Sequence, residues 1–545
     1  MKPQNNGADG NRQFSLLSRH KIWLCMFFSL MLSGVLFARA RDTATGPDEQ
    51  ACADLAGANK APWSVTSAEF VRPPFTTSVR VGSPNKVTVA VQFCRVIGTV
   101  KPTPESDIQF ELWLPRREDW NGKFEGVGSG GTRGSIEYQP LTGALVRGYA
   151  TVSTDSGHQS TSGYDVSWAI GQSERVIDFG YRAQHTVTQA ARALTEQFYG
   201  RAPRHSYFVG CSQGGHHALM EAQRYPEDYD GIVAGAPGYN FTGEMTGQAW
   251  NVQALRQVPQ GALQKEKLAL LFQAVVTACA GVDGLIEDPR RCSFDPETIE
   301  CKSADSASCL TPEEVGAVRK LYDGPRTSAG AQIYPGLARG GEGDWSRLWS
   351  DPKHLGGSWE GFYRYMLFDN PAWDLAMMNF DRDPVLAKKK LGAILDSDSP
   401  DLAAFARRGG KLIVYHGWGD DMVPSQVSID YRDLLRRKMG ESQANKFFRL
   451  FMIPGMAHCG GGPGADVLFH SEKANAVPLE PERDMLTALE QWVEQGRAPF
   501  KFVASRVNEQ GAVERTRLIC AYPSQAKYRG QGDVARAENF ACSTK

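Results

Sequence analysis

Ser206-Tyr207-Phe208-Val209-Gly210-Cys211-Ser212-Gln213-Gly214 is the stretch that decides the fold. A short apolar run ends in a serine set between two glycines, and Ala218-Leu219-Met220-Glu221-Ala222 beyond it reads as helix. This is the strand–turn–helix setting of the G-x-S-x-G nucleophile elbow. The turn is so sharp that bulky neighbours would clash, so glycines flank the serine and its hydroxyl projects above the sheet.

Further strand-like runs surround the elbow: Val87–Phe93, Phe110–Leu114, Ala150–Ser153 and Gly231–Ala234, with a helix-like stretch from Ile177 to Tyr199. Strands alternating with helices predict an α/β fold with a mostly parallel sheet covered on both faces. In such sheets ligands gather at the carboxyl ends of the strands. After Gly235-Ala236-Pro237-Gly238 the pattern becomes helix-rich, tryptophan-rich and irregular, and strand signal returns at Lys411–Tyr415 and Phe447–Ile453. The simplest organisation is an α/β-hydrolase core (residues 41–239 and 382–545) carrying an inserted, helix-rich lid (residues 240–381). A length of 545 residues agrees, since it exceeds one compact core.

The formal charge is −1, and no basic arm or face points to nucleic acid. Residues 1–40 read as a secretory signal: Arg12, Arg19 and Lys21, an apolar run from Ile22 to Phe37, then Ala38-Arg39-Ala40 as an A-x-A cleavage site. The mature chain is expected to start near Arg41, in a secreted or periplasmic setting without stable membrane association; a retained anchor is the alternative. Of 11 cysteines, Cys25 lies in that signal, leaving an even ten. An even set in an exported chain predicts disulfides. Local closure suggests Cys52–Cys94, Cys279–Cys292, Cys301–Cys309 and Cys520–Cys542, which leaves Cys211 and Cys459 for each other. No C-x-x-C or H-x-x-x-H spacing supports zinc.

A serine hydroxyl is a weak nucleophile at neutral pH and needs a base, with a third group orienting that base. His458 lies in a glycine-rich turn, Pro454-Gly455-Met456-Ala457-His458-Cys459-Gly460, just past a strand. Tyr415-His416-Gly417-Trp418-Gly419-Asp420-Asp421 follows another strand and offers two adjacent carboxylates. Local sequence does not separate Asp420 from Asp421, but the chain order serine, aspartate, histidine is that of the α/β-hydrolases. A Cys211–Cys459 bridge would hold its Cα atoms roughly 4.4–6.8 Å apart and so force Ser212 and His458 into one small volume. The oxyanion hole needs two donors. One is the backbone N–H of Gln213, and the run Gly126–Thr132 is the loop expected to supply the other from Gly130, Gly131 or Thr132.

These residues resemble the tannase and feruloyl esterase family, which includes bacterial hydrolases of mono(2-hydroxyethyl) terephthalate. The similarity rests on Val209–Gly215, Tyr225–Pro237, Val414–Asp420 and Pro454–Cys459, and extends from about Cys52 to Cys542. It implies Ser212, Asp420 and His458 as a catalytic triad, Asp420 over Asp421, and hydrolysis of small-molecule aromatic-acid esters without a catalytic cofactor. The resemblance also implies calcium in an acidic lid loop. Here the loop Cys279-Ala280-Gly281-Val282-Asp283-Gly284-Leu285-Ile286-Glu287-Asp288-Pro289 is shortened, and its leading aspartates are missing. Calcium takes about six to eight oxygens; Asp283 and the Leu285 carbonyl, with Glu287 or Asp288, would supply only part of that shell.

The lid stretch from Asp344 to Trp373 holds eight aromatics in 30 residues. They are expected mainly to fill the lid core, with one or two free to stack on an aromatic acyl ring. Arg347 and Arg364 are candidates for a substrate carboxylate or for plain surface charge. His216 and His217 are expected to lie off the reacting atoms, His416 to support the acid loop, and Asp155 to His158 to be structural. Asn240-Phe241-Thr242 forms a glycosylation sequon, meaningful in a eukaryotic source. The expected activity is therefore a serine carboxylesterase of aromatic or phenolic esters. The alternatives are a serine carboxypeptidase or acyltransferase, and a catalytically silent binding protein on the same scaffold.

Overall fold

The computed structural model describes residues 46–160, 162–258, 263–345, 357–469 and 478–544. The segment 1–40 expected to be a secretory signal, Arg347 and Trp349 lie outside them. Among the described residues twelve strands precede the histidine turn: β1 (Asn59–Lys60), β2 (Trp63–Val71), β3 (Phe75–Ser78), β4 (Lys86–Val89), β5 (Phe93–Val100), β6 (Ile108–Pro115), β7 (Lys123–Val127), β8 (Ala150–Thr154), β9 (His205–Cys211), β10 (Gly231–Gly235), β11 (Lys411–Gly417) and β12 (Phe448–Ile453). Ten form one sheet in the order β1-β2-β5-β6-β8-β7-β9-β10-β11-β12, and β3 pairs with β4 separately. From β8 to β12 every pairing is parallel, whereas β1, β2, β5, β6 and β8 pair antiparallel.

Side chains alternate across a strand, so each parallel strand feeds two cores. On one face Phe208, Ile232, Ala234, Leu412 and Val414 pack with the helices Ala183–Tyr199 and Gln213–Arg224. On the other, Tyr207, Val233, Ile413, Tyr415 and Phe451 pack with the helix Met485–Gln495 through Leu486, Leu489 and Trp492. Burial on both sides explains why these strands read as continuous apolar runs.

The lid has its own apolar cluster, which includes Phe241, Met245, Leu271, Val318, Trp345, Trp359, Phe362, Tyr363 and Trp373. Of the described aromatics in the tryptophan-rich stretch, Trp345, Trp359, Phe362, Tyr363 and Trp373 are buried in this cluster, and Tyr365 and Phe368 pack against it. The cluster also takes in Val166, Trp168 and Phe179 before residue 240, and Ala387, Leu391 and Leu395 after residue 381. Past the sheet, β13 (Lys501–Val507) pairs with β14 (Val513–Cys520), and β15 (Gln525–Tyr528) with β16 (Phe540–Ser543). The five expected disulfides are all formed. Among the described residues no helix is long and apolar enough to cross a membrane.

Candidate active site

Ser212 stands between the end of β9 and the helix Gln213–Arg224, with φ 61° and ψ −123°. A non-glycine residue holds such a conformation only where its surroundings impose it, and such residues cluster at functional sites. Its N–H donates to the Gly235 carbonyl at 2.9 Å, tying the elbow to the end of β10. The flanking glycine is a steric requirement: a Cβ at Gly210 would collide with the Gly214 backbone.

The histidine turn follows β12 and the acid loop follows β11, two adjacent parallel strands. Their loops are joined by backbone bonds, Trp418 N to Ile453 O and Gly419 N to Met456 O, each 2.9 Å. A side chain at Gly417 would run into the Met456 carbonyl, so that position admits only glycine at this spacing. The result is a continuous chain. Ser212 Oγ donates to His458 Nε2 at 2.8 Å, and His458 Nδ1 donates to Asp420 Oδ2 at 2.8 Å.

Asp420 is fixed from all sides. Its Oδ1 accepts from the N–H groups of Met422 (2.9 Å) and Val423 (2.8 Å), and Oδ2 also accepts from His416 Nε2 at 3.1 Å. His416 is in turn oriented by the Ser428 hydroxyl, which donates to Nδ1 at 2.7 Å. It supports the acid loop, as expected. Burial pushes the Asp420 carboxyl up, but the His458 charge and the hydrogen bonds from both histidines outweigh this and hold it well below the usual carboxylate range. For His458, burial favours the neutral ring, yet the charge and hydrogen bond of Asp420, with smaller help from Asp421 and Glu244, keep its pKa above the ordinary histidine value. Such an imidazole is placed to take a proton from the serine.

Cys211 and Cys459, one beside the serine and one beside the histidine, are bridged with a Cα–Cα distance of 6.0 Å. The bridge spans 248 residues of sequence.

Gln213 opens the helix after Ser212, where the first-turn N–H groups have no intrahelical acceptor. The facing loop packs closely, Gly128 lying against Gly214. Within that loop Thr132 does not suit a donor role. Its N–H is spent on the Gly163 carbonyl at 2.9 Å, and its hydroxyl on the Gly163 and Asp165 carbonyls at 3.0 Å each. Gly130 and Gly131 are the remaining candidates. His158 Nε2 meets the Thr132 carbonyl at 2.9 Å and its ring stacks on Trp168, so it braces this loop.

His216 and His217 are engaged elsewhere, by the Leu395 carbonyl (2.8 Å) and the Phe179 carbonyl (2.9 Å). Arg364 is engaged by Glu360 and by the Trp373 carbonyl, which removes it as a carboxylate receptor. The sequon asparagine caps a helix instead, its Oδ1 accepting from Gly243 N at 2.8 Å. Sequence reasoning missed Glu244, a buried carboxyl on the lid helix Phe241–Leu255. Burial pushes its pKa up to about 8, against the pull of His458. Nothing local marks it, because its nearness to the triad arises from how that helix folds back.

The acidic lid loop does not fit calcium. The carboxylates of Asp283 and Glu287 both pair with Arg517. The Asp283 carbonyl accepts from Arg515 Nη1 at 3.2 Å and the Leu285 carbonyl from Gly281 N at 2.9 Å. Asp288 is forked by Arg290 at 2.7 and 2.8 Å. Donors already occupy the oxygens a metal would need.

A family model described as "Tannase and feruloyl esterase" matches residues 94–543. An uncharacterized esterase of Xanthomonas campestris is 35% identical, covering 91% of this chain and 92% of its own. The mono(2-hydroxyethyl) terephthalate hydrolase of Piscinibacter sakaiensis is 33% identical over 83% and 85%. The crystal structure of feruloyl esterase B from Aspergillus oryzae superposes with a TM-score of 0.83 at 29% identity, covering 91% of this chain and all of that one. The chain therefore belongs to the tannase and feruloyl esterase family, and is a carboxylic ester hydrolase of the α/β-hydrolase type.

Proposed function

We propose that the protein is an exported serine esterase that hydrolyses esters of aromatic or phenolic acids through an acyl-enzyme formed on Ser212. The observation that carries this reading is the hydrogen-bonded chain from Ser212 Oγ through His458 to Asp420, both links 2.8 Å. His458 Nε2 takes the serine proton as Oγ attacks the ester carbonyl, and Asp420 stabilises the imidazolium that forms. The N–H groups of Gln213 and of Gly130 or Gly131 receive the developing oxyanion. The tetrahedral centre collapses, the carbon–oxygen bond to the alcohol breaks, and His458 returns its proton to the leaving alkoxide. Water then repeats the cycle on the acyl-enzyme, releasing the acid and restoring Ser212. No step calls on a redox cofactor or metal.

The choice of aromatic acyl groups is supported by the relatives, whose names specify terephthalate and feruloyl esters. Export is supported by the five disulfides, which persist in oxidising compartments. Hydrolysis of a galloyl ester, a feruloyl ester, a second hydroxycinnamoyl ester and a terephthalate monoester, beside aliphatic esters of the same alcohols, tests the reading. At least one aromatic ester should exceed its aliphatic partner in kcat/KM, and Ser212→Ala should abolish the difference. Preference for the aliphatic set, or full activity in Ser212→Ala, would contradict it.

A further inference from the structure

Arg517 lies on β14 with its side chain buried, and its guanidinium reaches across to the lid loop, where it clasps both Asp283 and Glu287. The clasp is backed from behind. The guanidinium carbon sits 4.4 Å from the centroid of Phe540 on β16, and the Cys520–Cys542 bridge ties β14 to β16. The loop is itself closed by the Cys279–Cys292 bridge. Its second carboxylate oxygen on Glu287 accepts from Ala526 N at 2.9 Å, so two elements of the C-terminal segment hold the same side chain.

Asp283 is buried and Glu287 half-buried, and two neighbouring carboxylates so placed need a positive charge close by, which a divalent cation or a guanidinium can supply. A guanidinium donates in a fixed fork and cannot lose its proton, whereas calcium would have to gather about six to eight oxygens. A metal entering here would meet Arg517 at close range, and like charges repel strongly where water is excluded. We propose that Arg517 is a built-in cation: it stands where a divalent metal would otherwise neutralise Asp283 and Glu287, and it latches the lid loop to the C-terminal strands without metal. The loop so held packs on the turn that carries His458, since a Cβ at Gly455 would meet Leu285 Cδ2 at 2.7 Å.

Thermal unfolding and calorimetric titration of the full mature chain test this. The wild-type melting temperature is expected to stay the same after chelation and after addition of calcium chloride, with no heat of calcium binding. Arg517→Met should lower the melting temperature by several degrees, because it leaves the buried Asp283 and the half-buried Glu287 without their counter-charge. Adding Asp283→Asn and Glu287→Gln to Arg517→Met should recover most of that loss. The recovery distinguishes a charge role from mere packing, which neutralising the acids would not repair. A wild-type protein stabilised by calcium or weakened by chelation overturns the proposal. So does an Arg517→Met loss that the neutral triple variant fails to recover. Should Arg517→Met not fold, the wild-type titration together with Arg517→Lys decides: the lysine variant, which keeps the charge, is expected to fold and to ignore calcium, and calcium-dependent folding of it would refute the built-in cation.

Discussion

Replacing both Cys211 and Cys459 by alanine removes the crosslink beside the nucleophile and the base while leaving Ser212, His458 and Asp420 in the chain. The bridge spans 248 residues, and the loop-closure relation puts the stabilisation from so long a loop near its upper end, about 5 kcal/mol. The effect on chemistry has a different origin. The histidine turn keeps its backbone bonds to the acid loop through Gly419 and Trp418, so His458 and Asp420 stay together. What loosens is the distance between that unit and Ser212, now 2.8 Å from Oγ to Nε2. A displacement of about 1 Å in a reacting pair costs on the order of 100-fold in rate. We therefore expect kcat to fall roughly 10- to 100-fold and KM to change by less than about 3-fold, since the crosslink touches proton transfer and not substrate binding. Steady-state kinetics on an aromatic ester, run well below the variant's unfolding transition and beside far-UV circular dichroism, measure this. A variant that melts earlier yet keeps the wild-type kcat would refute a positioning role and leave the bridge a stabilising crosslink only.

The two neighbouring aspartates should separate sharply: Asp420→Asn is expected to lose about 1,000- to 10,000-fold in kcat, as losing the group that orients the base does elsewhere, while Asp421→Asn retains turnover within about tenfold of wild type. Equal losses would contradict the assignment. The base works only as neutral imidazole, and the Asp420 charge favours imidazolium, so kcat/KM should rise with pH through a midpoint above the ordinary histidine value of about 6.5. Asp421→Asn removes a charge that also favours imidazolium, and should move that midpoint to lower pH; an upward move would contradict the electrostatics. Gly210→Ala is expected to abolish activity and lower the yield of folded protein, because its methyl group meets the Gly214 backbone; a fully active variant would show that the elbow is not under steric constraint.

In the parallel half of the fold β8, β9, β10, β11 and β12 were legible because burial on both faces makes them apolar runs, whereas β7, Lys123-Phe124-Glu125-Gly126-Val127, was not, since Glu125 and Gly126 interrupt its run. The elbow was legible for a different reason: its glycines are forced by close backbone contacts, and steric necessity leaves a local signature. Of the antiparallel strands, β6 is buried at all but one position and reads as the apolar run Phe110–Leu114, whereas β2 and β5 were harder to read, since their partly exposed positions dilute the apolar signal and the run from Val87 to Phe93 is split between β4 and β5. The site's long-range members were least legible. Thr132 lies in the loop that faces the elbow but spends its N–H on Gly163, a partner that only the tertiary fold supplies. Glu244 and Arg517 act through groups far away in sequence, and no spacing rule points from Arg517 to Asp283.

Ser212 acts as a nucleophile activated by His458, 2.8 Å away. Treating the folded protein with a fluorophosphonate and mapping the modified peptide tests it directly. A single stoichiometric adduct on Ser212, formed quickly in the wild type and much more slowly in His458→Ala, is the predicted result. A folded wild-type protein that stays unmodified, or carries the adduct on another residue, would contradict it.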